Sequence, residues 1–192
     1  MKLYCATTNA GKLREFQHAA GDRWQVETLP GLREIPAPEE TGATFEENAI
    51  LKARYYGAHT DGWLFTDDSG IEVTALGGAP GVHSAYFAGP TATAAENNAK
   101  LVAELAGAAD RGARYVCVIA LARGGELVRT FRGEVAGEIV DPPRGSGGFG
   151  YDPHFFYAPF GETFGEAAPE RKLAVSHRGR ALAAMFAWLA LH

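Results

Sequence analysis

Two adjacent aspartates at the end of an apolar segment are the first residues in this chain that could carry out chemistry. Asp67 and Asp68 follow a run of strand-forming residues and are followed directly by Ser69 and Gly70. Acidic pairs at strand ends are typical of sites where Mg²⁺ meets phosphate, because Mg²⁺ takes one or two carboxylates together with phosphate oxygens and water. Side chains alternate between the faces of a strand, so both carboxylates can face one site only if the strand ends between them. The alternative is a turn in which an aspartate caps nearby backbone amides.

An acidic loop could supply a further carboxylate. Glu39 and Glu40 lie in a segment rich in proline and glutamate. Such a loop is usually only solvated, but a metal site supplied by the aspartate pair needs one more ligand. The sequence leaves open whether Asp67, Glu39 or Glu40 completes that site.

Cations stand near the starts of two predicted helices. Asn9 is a predicted N-cap after a strand, and Lys12 falls in the first turn of the helix that follows. Arg178 falls in the first turn of a helix capped by Ser176. The helix dipole disfavours a cation at this end while the backbone N–H groups attract anions, so a shared phosphate would remove the conflict. The alternative is an ordinary asparagine cap beside a solvated lysine, since the spacing of a Walker phosphate loop is missing.

A glycine-rich segment could bind a nucleoside. Residues 146–153 read Ser-Gly-Gly-Phe-Gly-Tyr-Asp-Pro. Glycine permits close approach of the backbone to a ligand, and Phe149 and Tyr151 could stack on a base. The alternative for a glycine-rich segment is a plain turn.

Composition limits the class of protein. The chain has 192 residues, which at about 150 residues per domain predicts one domain. Hydrophobic residues make up 46% and charged residues 21%, which excludes a disordered chain. The longest apolar run, residues 181–191, falls short of the roughly 20 residues of a membrane span. The net charge of −5 and the lack of a basic stripe argue against a nucleic acid polymer as partner, but not against a small anion.

Cysteine and histidine usage favours a reduced protein without zinc. Cys5 and Cys117 lie in apolar, strand-like runs and are predicted to be buried thiols. The six histidines show no metal-ligand spacing with one another or with cysteine. The N-terminus lacks the apolar core of a signal peptide, so we expect a cytoplasmic protein.

The predicted elements alternate between strands and helices early in the chain and pair strands in its middle. Predicted strands cover residues 2–7, 24–29, 63–70, 71–76, 114–122, 126–133, 134–140 and 154–157. Helices are predicted after the caps Asn9, Thr44, Thr93 and Ser176, the second ending near residue 58 and the last near residue 191. A Gly124-Gly125 turn joins two strands, and residues 76–85 and 141–153 are predicted to be irregular loops. This order predicts an α/β fold with a mixed sheet in one domain, residues 1–192.

Six segments, taken in order, resemble the inosine triphosphate pyrophosphatase family, also called Ham1-like or non-standard purine NTP pyrophosphatases. They are Thr7-x-Asn9-x-x-Lys12, Glu40-Thr41-Gly42-x-Thr44-Phe45-x-x-Asn48-Ala49, Asp67-Asp68-Ser69-Gly70, Leu76-Gly77-Gly78-x-Pro80-Gly81, Gly147-Gly148-Phe149-Gly150-Tyr151-Asp152-Pro153 and Ser176-His177-Arg178. The resemblance covers nearly the whole chain. Thr8 stands where the family often has glycine, and residues 172–175 are more apolar than usual; neither departure removes a functional group.

The resemblance implies both a fold and an activity. The fold is a long mixed β-sheet flanked by helices in two lobes, with the active site in the cleft between them. The activity is the Mg²⁺-assisted hydrolysis of ITP, dITP and XTP to the monophosphate and pyrophosphate, which clears deaminated purines from the nucleotide pool. Members are typically homodimers, so the expected partners are the nucleotide and a second copy, with no nucleic acid polymer and no membrane.

The resemblance also assigns roles to individual residues. Asp68 is implied as the base that activates a water for attack on the α-phosphate and, together with Glu40, as a metal ligand. The implied substrate-binding residues are Thr7, Thr8, Asn9, Ala10, Gly11, Lys12 and Lys52 around the triphosphate, Ser69 beside Asp68, Phe149, Gly150, Tyr151 and Asp152 at sugar and base, and Lys172, His177 and Arg178 closing the site and reading the base.

Two other functions remain open at this point. The related septum-formation-inhibitor-like group also cleaves nucleotides but prefers modified pyrimidines, and the Ser-His-Arg ending at Ser176 argues against it. A nucleotide-binding sensor that does not hydrolyse is the other. The Asp67-Asp68 pair argues against a sensor, because a pure binder has little use for crowded carboxylates near phosphates.

Overall fold

The fold is built on a mixed seven-stranded sheet. A computed structural model describes residues 1–192. The strands are β1 Lys2–Cys5, β2 Gln25–Thr28, β3 Trp63–Val73, β4 Gly112–Arg123, β5 Glu126–Ile139, β6 Phe155–Tyr157 and β7 Glu162–Thr163. The helices are α1 Ala10–Ala20, α2 Phe45–Gly57, α3 Ala94–Glu104, α4 Pro169–Val175 and α5 His177–Leu189, with short 3₁₀ helices at Thr74–Leu76, Gly81–Tyr86, Asp152–His154 and Ala158–Phe160.

The strand order confirms the predicted mixed sheet flanked by helices. The order is β2-β1-β3-β4-β5-β6-β7. Strand β1 pairs in parallel with β2 and β3, whereas β6 pairs antiparallel with both β5 and β7. The two-residue turn at Gly124 and Gly125 joins β4 to β5 as predicted.

The chain divides into two compact units. The first consists of Met1–Asp68, Cys117–Gly133 and His177–His192, and the second of Ser69–Val116 and Glu134–Ser176. Strands β3, β4 and β5 each contribute residues to both units, so the chain crosses between them several times. The single domain over residues 1–192 stays a prediction. No helix is both long enough and apolar enough to cross a lipid bilayer.

In the first unit, α1 packs against β2 and α5. The ring of Phe16 on α1 meets Phe65 of β3 edge-on at 5.1 Å, and both side chains are buried. Cys5 and Cys117 are buried free thiols, as predicted. Burial raises the pKa of both thiols to about 12, so they stay protonated.

The second unit has its own apolar core. Its buried members come from strands β3 to β6, from helix α3 and from the segments that follow them: Ile71, Val73, Leu101, Leu105, Ala113, Tyr115, Val135, Ile139, Tyr151, Phe155 and Phe164. Within this core the rings of Tyr115, Phe155 and Phe164 pack against one another, with their centroids 4.5 to 6.2 Å apart. Each unit therefore buries hydrophobic area of its own.

The strand does not end between Asp67 and Asp68, so the condition for both carboxylates to face one site is not met, and the predicted boundary after residue 70 is wrong. Strand β3 runs without a break from Trp63 to Val73. Gly70 lies inside it because the 3₁₀ helix Gly81–Tyr86 approaches closely: a Cβ on Gly70 would lie 2.4 Å from Ser84 Oγ and 2.5 Å from the Gly81 carbonyl oxygen. The Ser84 hydroxyl oxygen accepts a hydrogen bond of 2.9 Å from the Ile71 amide. The glycine that suggested a turn is a close-approach glycine instead.

Strand β5 also continues through a glycine that was predicted to end a strand. Two strands, residues 126–133 and 134–140, were predicted, but a single strand covers Glu126–Ile139. Gly133 lies against α5, where an added Cβ would lie 2.7 Å from the Ala181 amide nitrogen. Neither β7 nor α4 is predicted from the sequence, and they are only two and seven residues long. Residues 76–85, predicted to be an irregular loop, include most of the 3₁₀ helix Gly81–Tyr86, whereas the 3₁₀ helix Thr74–Leu76 replaces the end of the predicted strand 71–76.

Candidate active site

The start of α1 confirms the predicted asparagine cap. The Asn9 side-chain oxygen accepts hydrogen bonds from the Gly11 and Lys12 amides at 2.8 and 3.1 Å, and Thr7 Oγ1 accepts one from the Asn9 amide at 3.2 Å. Thr8, Asn9 and Ala10 are exposed. The Asn9 side chain therefore already occupies two of the amides that an anion could use.

Asp67 is the anion that Lys12 faces. The Lys12 ammonium lies 2.8 Å from Asp67 Oδ2, so a carboxylate of the chain itself offsets the unfavourable position of this cation in the helix dipole. Burial alone would raise the pKa of Asp67, but Lys12 and Arg178 outweigh it and lower that pKa to about 2. Asp67 is therefore a permanently charged, buried group.

Arg178 completes this ion cluster. Its guanidinium is only 2% exposed, pairs with Glu15 through Nη1, and places Nε 3.7 Å from Asp67 Oδ2. Glu15 was absent from the sequence prediction. Glu15 lies one helical turn after Lys12, so both residues are on one side of α1, and this spacing could have identified it. The base-reading role of Arg178 stays a prediction, while its guanidinium contacts carboxylates of the first unit.

Asp68 points to the other face of β3, as strand alternation requires. Its Oδ1 lies 2.8 Å from the Lys52 ammonium, and the Asn48 amide nitrogen lies 3.5 Å from its Oδ2. Burial outweighs Lys52 and raises the pKa of Asp68 to about 6. The two adjacent aspartates therefore have opposite environments, and each has its own lysine.

Lys52 joins the two predicted metal ligands. Its ammonium lies 3.0 Å from Glu40 Oε2 as well as 2.8 Å from Asp68 Oδ1. Of the three carboxylates that could accompany Asp68, Glu40 is thus the one that shares a cation with it, whereas Asp67 faces Lys12. A cationic group already lies between two hard carboxylate oxygens, and this donor set suits Mg²⁺.

Asn48 holds the loop that carries Glu40. Its side-chain oxygen accepts a 2.8 Å hydrogen bond from the Gly42 amide, which leaves its NH₂ group directed to Asp68. Asn48 is buried, and it lies one turn before Lys52 on α2. The capping box of Thr44 and Glu47 fixes the start of this helix, as predicted.

In the second unit, Asp152 organises the glycine-rich segment. Its Oδ2 accepts hydrogen bonds from the Lys172 ammonium at 2.7 Å and from the Phe149 amide at 2.8 Å. The Lys172 ammonium also lies 4.9 Å from the centre of the Phe149 ring. Lys172 sits in the last turn of α4, where the helix dipole favours a cation.

Tyr151 is a core residue, so the expectation that its ring could stack on a base is wrong. It is 5% exposed and belongs to the apolar core of the second unit. Its hydroxyl donates a 2.7 Å hydrogen bond to the Ser84 carbonyl oxygen. The neighbouring Gly150 carbonyl accepts a hydrogen bond from Asn98 at 3.0 Å. Phe149, half-buried, is the aromatic ring of this segment that remains in reach of a ligand.

The remaining predicted residues are Ser69, Ser176 and His177. Ser69 is half-buried and follows Asp68 on β3. Ser176 and His177 are buried, Ser176 directly before α5 and His177 as its first residue. The structure therefore places the predicted phosphate and metal residues in the first unit, and Ser69, Phe149, Gly150, Tyr151, Asp152 and Lys172 in the second.

A mixed α/β sheet with a lysine–carboxylate pair on each face of one strand is suited to a metal-bound phosphate. The family model of the Ham1 family matches residues 3–188. The chain is 48% identical to a dITP/XTP pyrophosphatase of Acidobacterium capsulatum, covering 98% of both chains, and 46% identical to one of Deinococcus radiodurans, covering 97% and 92%. The chain therefore belongs to the Ham1 family.

Solved structures agree with this assignment. The Ham1 protein of Staphylococcus aureus superposes with a TM-score of 0.88 at 37% identity, covering 99% of this chain and 98% of that one. A HAM1 protein from Coxiella burnetii gives a TM-score of 0.89 at 39% identity over the whole of both chains. The family that the six sequence segments imply, and its mixed sheet flanked by helices, are thus confirmed.

Proposed function

We propose that this chain hydrolyses the non-standard purine nucleoside triphosphates dITP, XTP and ITP to the monophosphate and pyrophosphate. The observation that carries the proposal is the cluster in which Lys52 bridges Asp68 and Glu40. This cluster offers a buried carboxylate and a second carboxylate, each within bonding distance of the same ammonium. The family and its curated dITP/XTP pyrophosphatase relatives support the substrate class.

Asp68 is the proposed general base. Its carboxylate accepts a proton from a water whose oxygen attacks the α-phosphorus. The bond from the α-phosphorus to the oxygen that bridges it to the β-phosphate then breaks, and pyrophosphate leaves with that electron pair. Burial and the contacts with Lys52 and Asn48 hold the carboxylate in one orientation, which general-base catalysis requires.

Asp68 and Glu40 are the residues that would hold Mg²⁺. When bound there, the ion would neutralise phosphate charge and polarise a phosphoryl oxygen. The position of the Lys52 ammonium between the two carboxylates shows that positive charge is favourable at this point. The relatives' activity fits a metal-dependent enzyme, and Mg²⁺ is our proposal for the metal.

The start of α1 is the proposed triphosphate contact. Lys12 supplies the charge, the segment Thr7 to Gly11 supplies hydroxyl and amide donors, and Lys52 adds a second ammonium. Asp67 acts through Lys12: at 2.8 Å it fixes the ammonium rather than binding phosphate itself.

Residues of the second unit and of α5 are proposed to recognise the nucleoside. Phe149 stacks on the base, and Ser69, Gly150 and Lys172 contribute polar contacts. His177 and the backbone amides at the start of α5 donate to the 6-keto oxygen. A 6-amino group would leave these donors unpaired, and such polar mismatches can give about 10⁴-fold discrimination.

A substrate panel in ¹⁸O-labelled water tests the proposal. With Mg²⁺ present, we expect kcat/KM for dITP, ITP and XTP well above GTP, and GTP at or above ATP. The label should appear in the monophosphate, because the attack falls on the α-phosphorus. Release of inorganic phosphate with a diphosphate, or equal kcat/KM for ATP and ITP, would contradict it. Hydrolysis of modified UTP alone would favour the pyrimidine-directed group, and no product would favour the sensor.

We further propose a cytoplasmic homodimer, as the resemblance implies. Light scattering coupled to size-exclusion chromatography measures the mass directly, and a mass of 20.5 kDa, that of one chain, would contradict the dimer. Cell fractionation tests the compartment.

A further inference from the structure

The carboxylate of Asp152 is bonded on both oxygens by its own unit. Oδ2 accepts hydrogen bonds from the Lys172 ammonium and the Phe149 amide, and Oδ1 accepts one of 3.2 Å from the Tyr115 hydroxyl. Asp152 is 2% exposed. Because the last torsion of an aspartate is broad and roughly two-fold, one bonded oxygen alone would leave the carboxylate plane free to rotate. Donors on both oxygens fix that plane.

The glycine-rich segment is wrapped around this carboxylate. Gly148 has a φ of +69°, and a Cβ there would lie 2.1 Å from Asp152 Oδ2. Phe149 follows with its amide directed at the same oxygen. The orientation of Asp152 therefore determines where the Phe149 backbone, and with it the ring, is held.

Tyr115 anchors these contacts in the core, because its hydroxyl bonds Asp152 and Asp152 bonds the Phe149 amide. It lies on β4, is buried, and packs its ring 4.5 Å from Phe155 and 6.2 Å from Phe164, centre to centre. A ring packed in this way keeps its hydroxyl in one place. The motifs that identified the other site residues do not include Tyr115.

We propose that Tyr115 is a positioning residue for nucleoside binding, acting through Asp152 to hold Phe149 in its stacking position. The inference rests on the proposed stacking role of Phe149. Preorganisation of the ring lowers the ordering cost of binding, so the loss of the hydroxyl weakens the nucleoside contact and leaves the phosphate contacts intact. Tyr115 touches neither substrate nor metal in this scheme.

The test compares Tyr115→Phe with the wild type by calorimetry, using inosine monophosphate as the nucleoside probe and pyrophosphate as the phosphate probe, both with Mg²⁺. Tyr115→Phe keeps the ring packing. We expect the Kd of inosine monophosphate to rise about five- to tenfold, which lies within the range for one lost ordinary hydrogen bond, because Tyr115 acts on the nucleoside only indirectly. The Kd of pyrophosphate should change less than twofold. In turnover of dITP, KM should rise while kcat stays within about twofold.

Tyr157→Phe is the matched control, because Tyr157 also packs against this core, with its ring 5.8 Å from Phe164. It should leave both dissociation constants unchanged. Phe149→Ala tests the stacking role of Phe149 separately from the positioning role of Tyr115. If Phe149→Ala weakens inosine monophosphate binding and Tyr115→Phe does not, the positioning role is wrong and the stacking role stands. If Phe149→Ala has no effect, the stacking role fails and the inference fails with it. Equal loss of both probes in Tyr115→Phe would mean a general structural defect and would also overturn the proposal.

Discussion

Removing one partner of the buried ion pair between Lys172 and Asp152 is expected to lower the stability of the fold by a large amount. Their side chains are 4% and 3% exposed, and their charged atoms lie 2.7 Å apart, so solvent screens the pair little. The substitution Lys172→Met keeps the length and apolar stem of the side chain but removes the ammonium. The Asp152 carboxylate is then left buried without its cation.

The expected loss is about 3–5 kcal/mol in the free energy of unfolding, the range for removing one partner of a buried pair. Whole domains are stable by only about 5–15 kcal/mol, so the effect is a large fraction of the total. Replacing both partners, in Lys172→Met with Asp152→Asn, removes the orphaned charge and should restore at least about 2 kcal/mol. Arg171→Met is the control, since its ion pair with Glu162 is solvent-exposed and is expected to be worth about 1 kcal/mol or less.

Urea unfolding followed by far-ultraviolet circular dichroism is the appropriate assay. All three tryptophans, Trp24, Trp63 and Trp188, belong to the first unit, whereas Lys172 belongs to the second. Tryptophan fluorescence would therefore report on the wrong unit if the two unfold separately. Lys172→Met within about 1 kcal/mol of the wild type, or a double variant less stable than the sum of the single changes, would refute the reasoning.

Three further predictions concern the strand that carries the aspartates and the two thiols. Asp68→Asn should lower kcat for dITP by about 10²-fold or more, as expected for the loss of a general base, while the exposed Asp61→Asn control keeps full activity. Its effect on the melting temperature should be smaller than that of Lys172→Met, because Lys52 keeps its contact with Glu40. Steady-state kinetics measures the first effect and calorimetry the second, and turnover near the wild-type rate would remove Asp68 from the role of base. Gly70→Ala should lower the free energy of unfolding, measured in urea, by about 1–3 kcal/mol, because the added Cβ would overlap Ser84 and the Gly81 carbonyl. An unchanged free energy would show that the 3₁₀ helix can move aside. Cys5 and Cys117, buried and with pKa values near 12, should react with a thiol reagent at pH 8 only when the protein is unfolded; rapid labelling of the native protein would contradict their burial.

Local signals in the sequence predicted much of the framework correctly. The Thr44–Glu47 and Thr93–Glu96 capping boxes begin helices where predicted, and the Gly124 turn joins two neighbouring strands. These features depend on residues within four positions of one another, so the sequence contains the whole interaction. The family resemblance rests on segments of the same local kind, and the fold comparison confirms it.

Glycine was the main source of wrong boundaries. The sequence predicts strand ends at Gly70 and Gly133, yet both lie within strands, Gly70 against a 3₁₀ helix and Gly133 against α5. A glycine needed for close approach of a distant segment has the same one-letter symbol as a glycine needed for a turn. Only the position of the other segment distinguishes the two uses.

The sequence by itself determined which side chains on β3 face opposite ways, because alternation along a strand is a backbone property. It also determined the cap at Asn9 and the helical positions of Lys12 and Lys52. The tertiary structure decided which charges meet: Lys12 with Asp67, Lys52 with Asp68 and Glu40, and residues 163 positions apart in the pair of Glu15 and Arg178. It also decided that Tyr151 is a core residue and that Asp152 holds the segment around Phe149. Contacts of this kind depend on how distant elements pack, and no spacing within one segment encodes them.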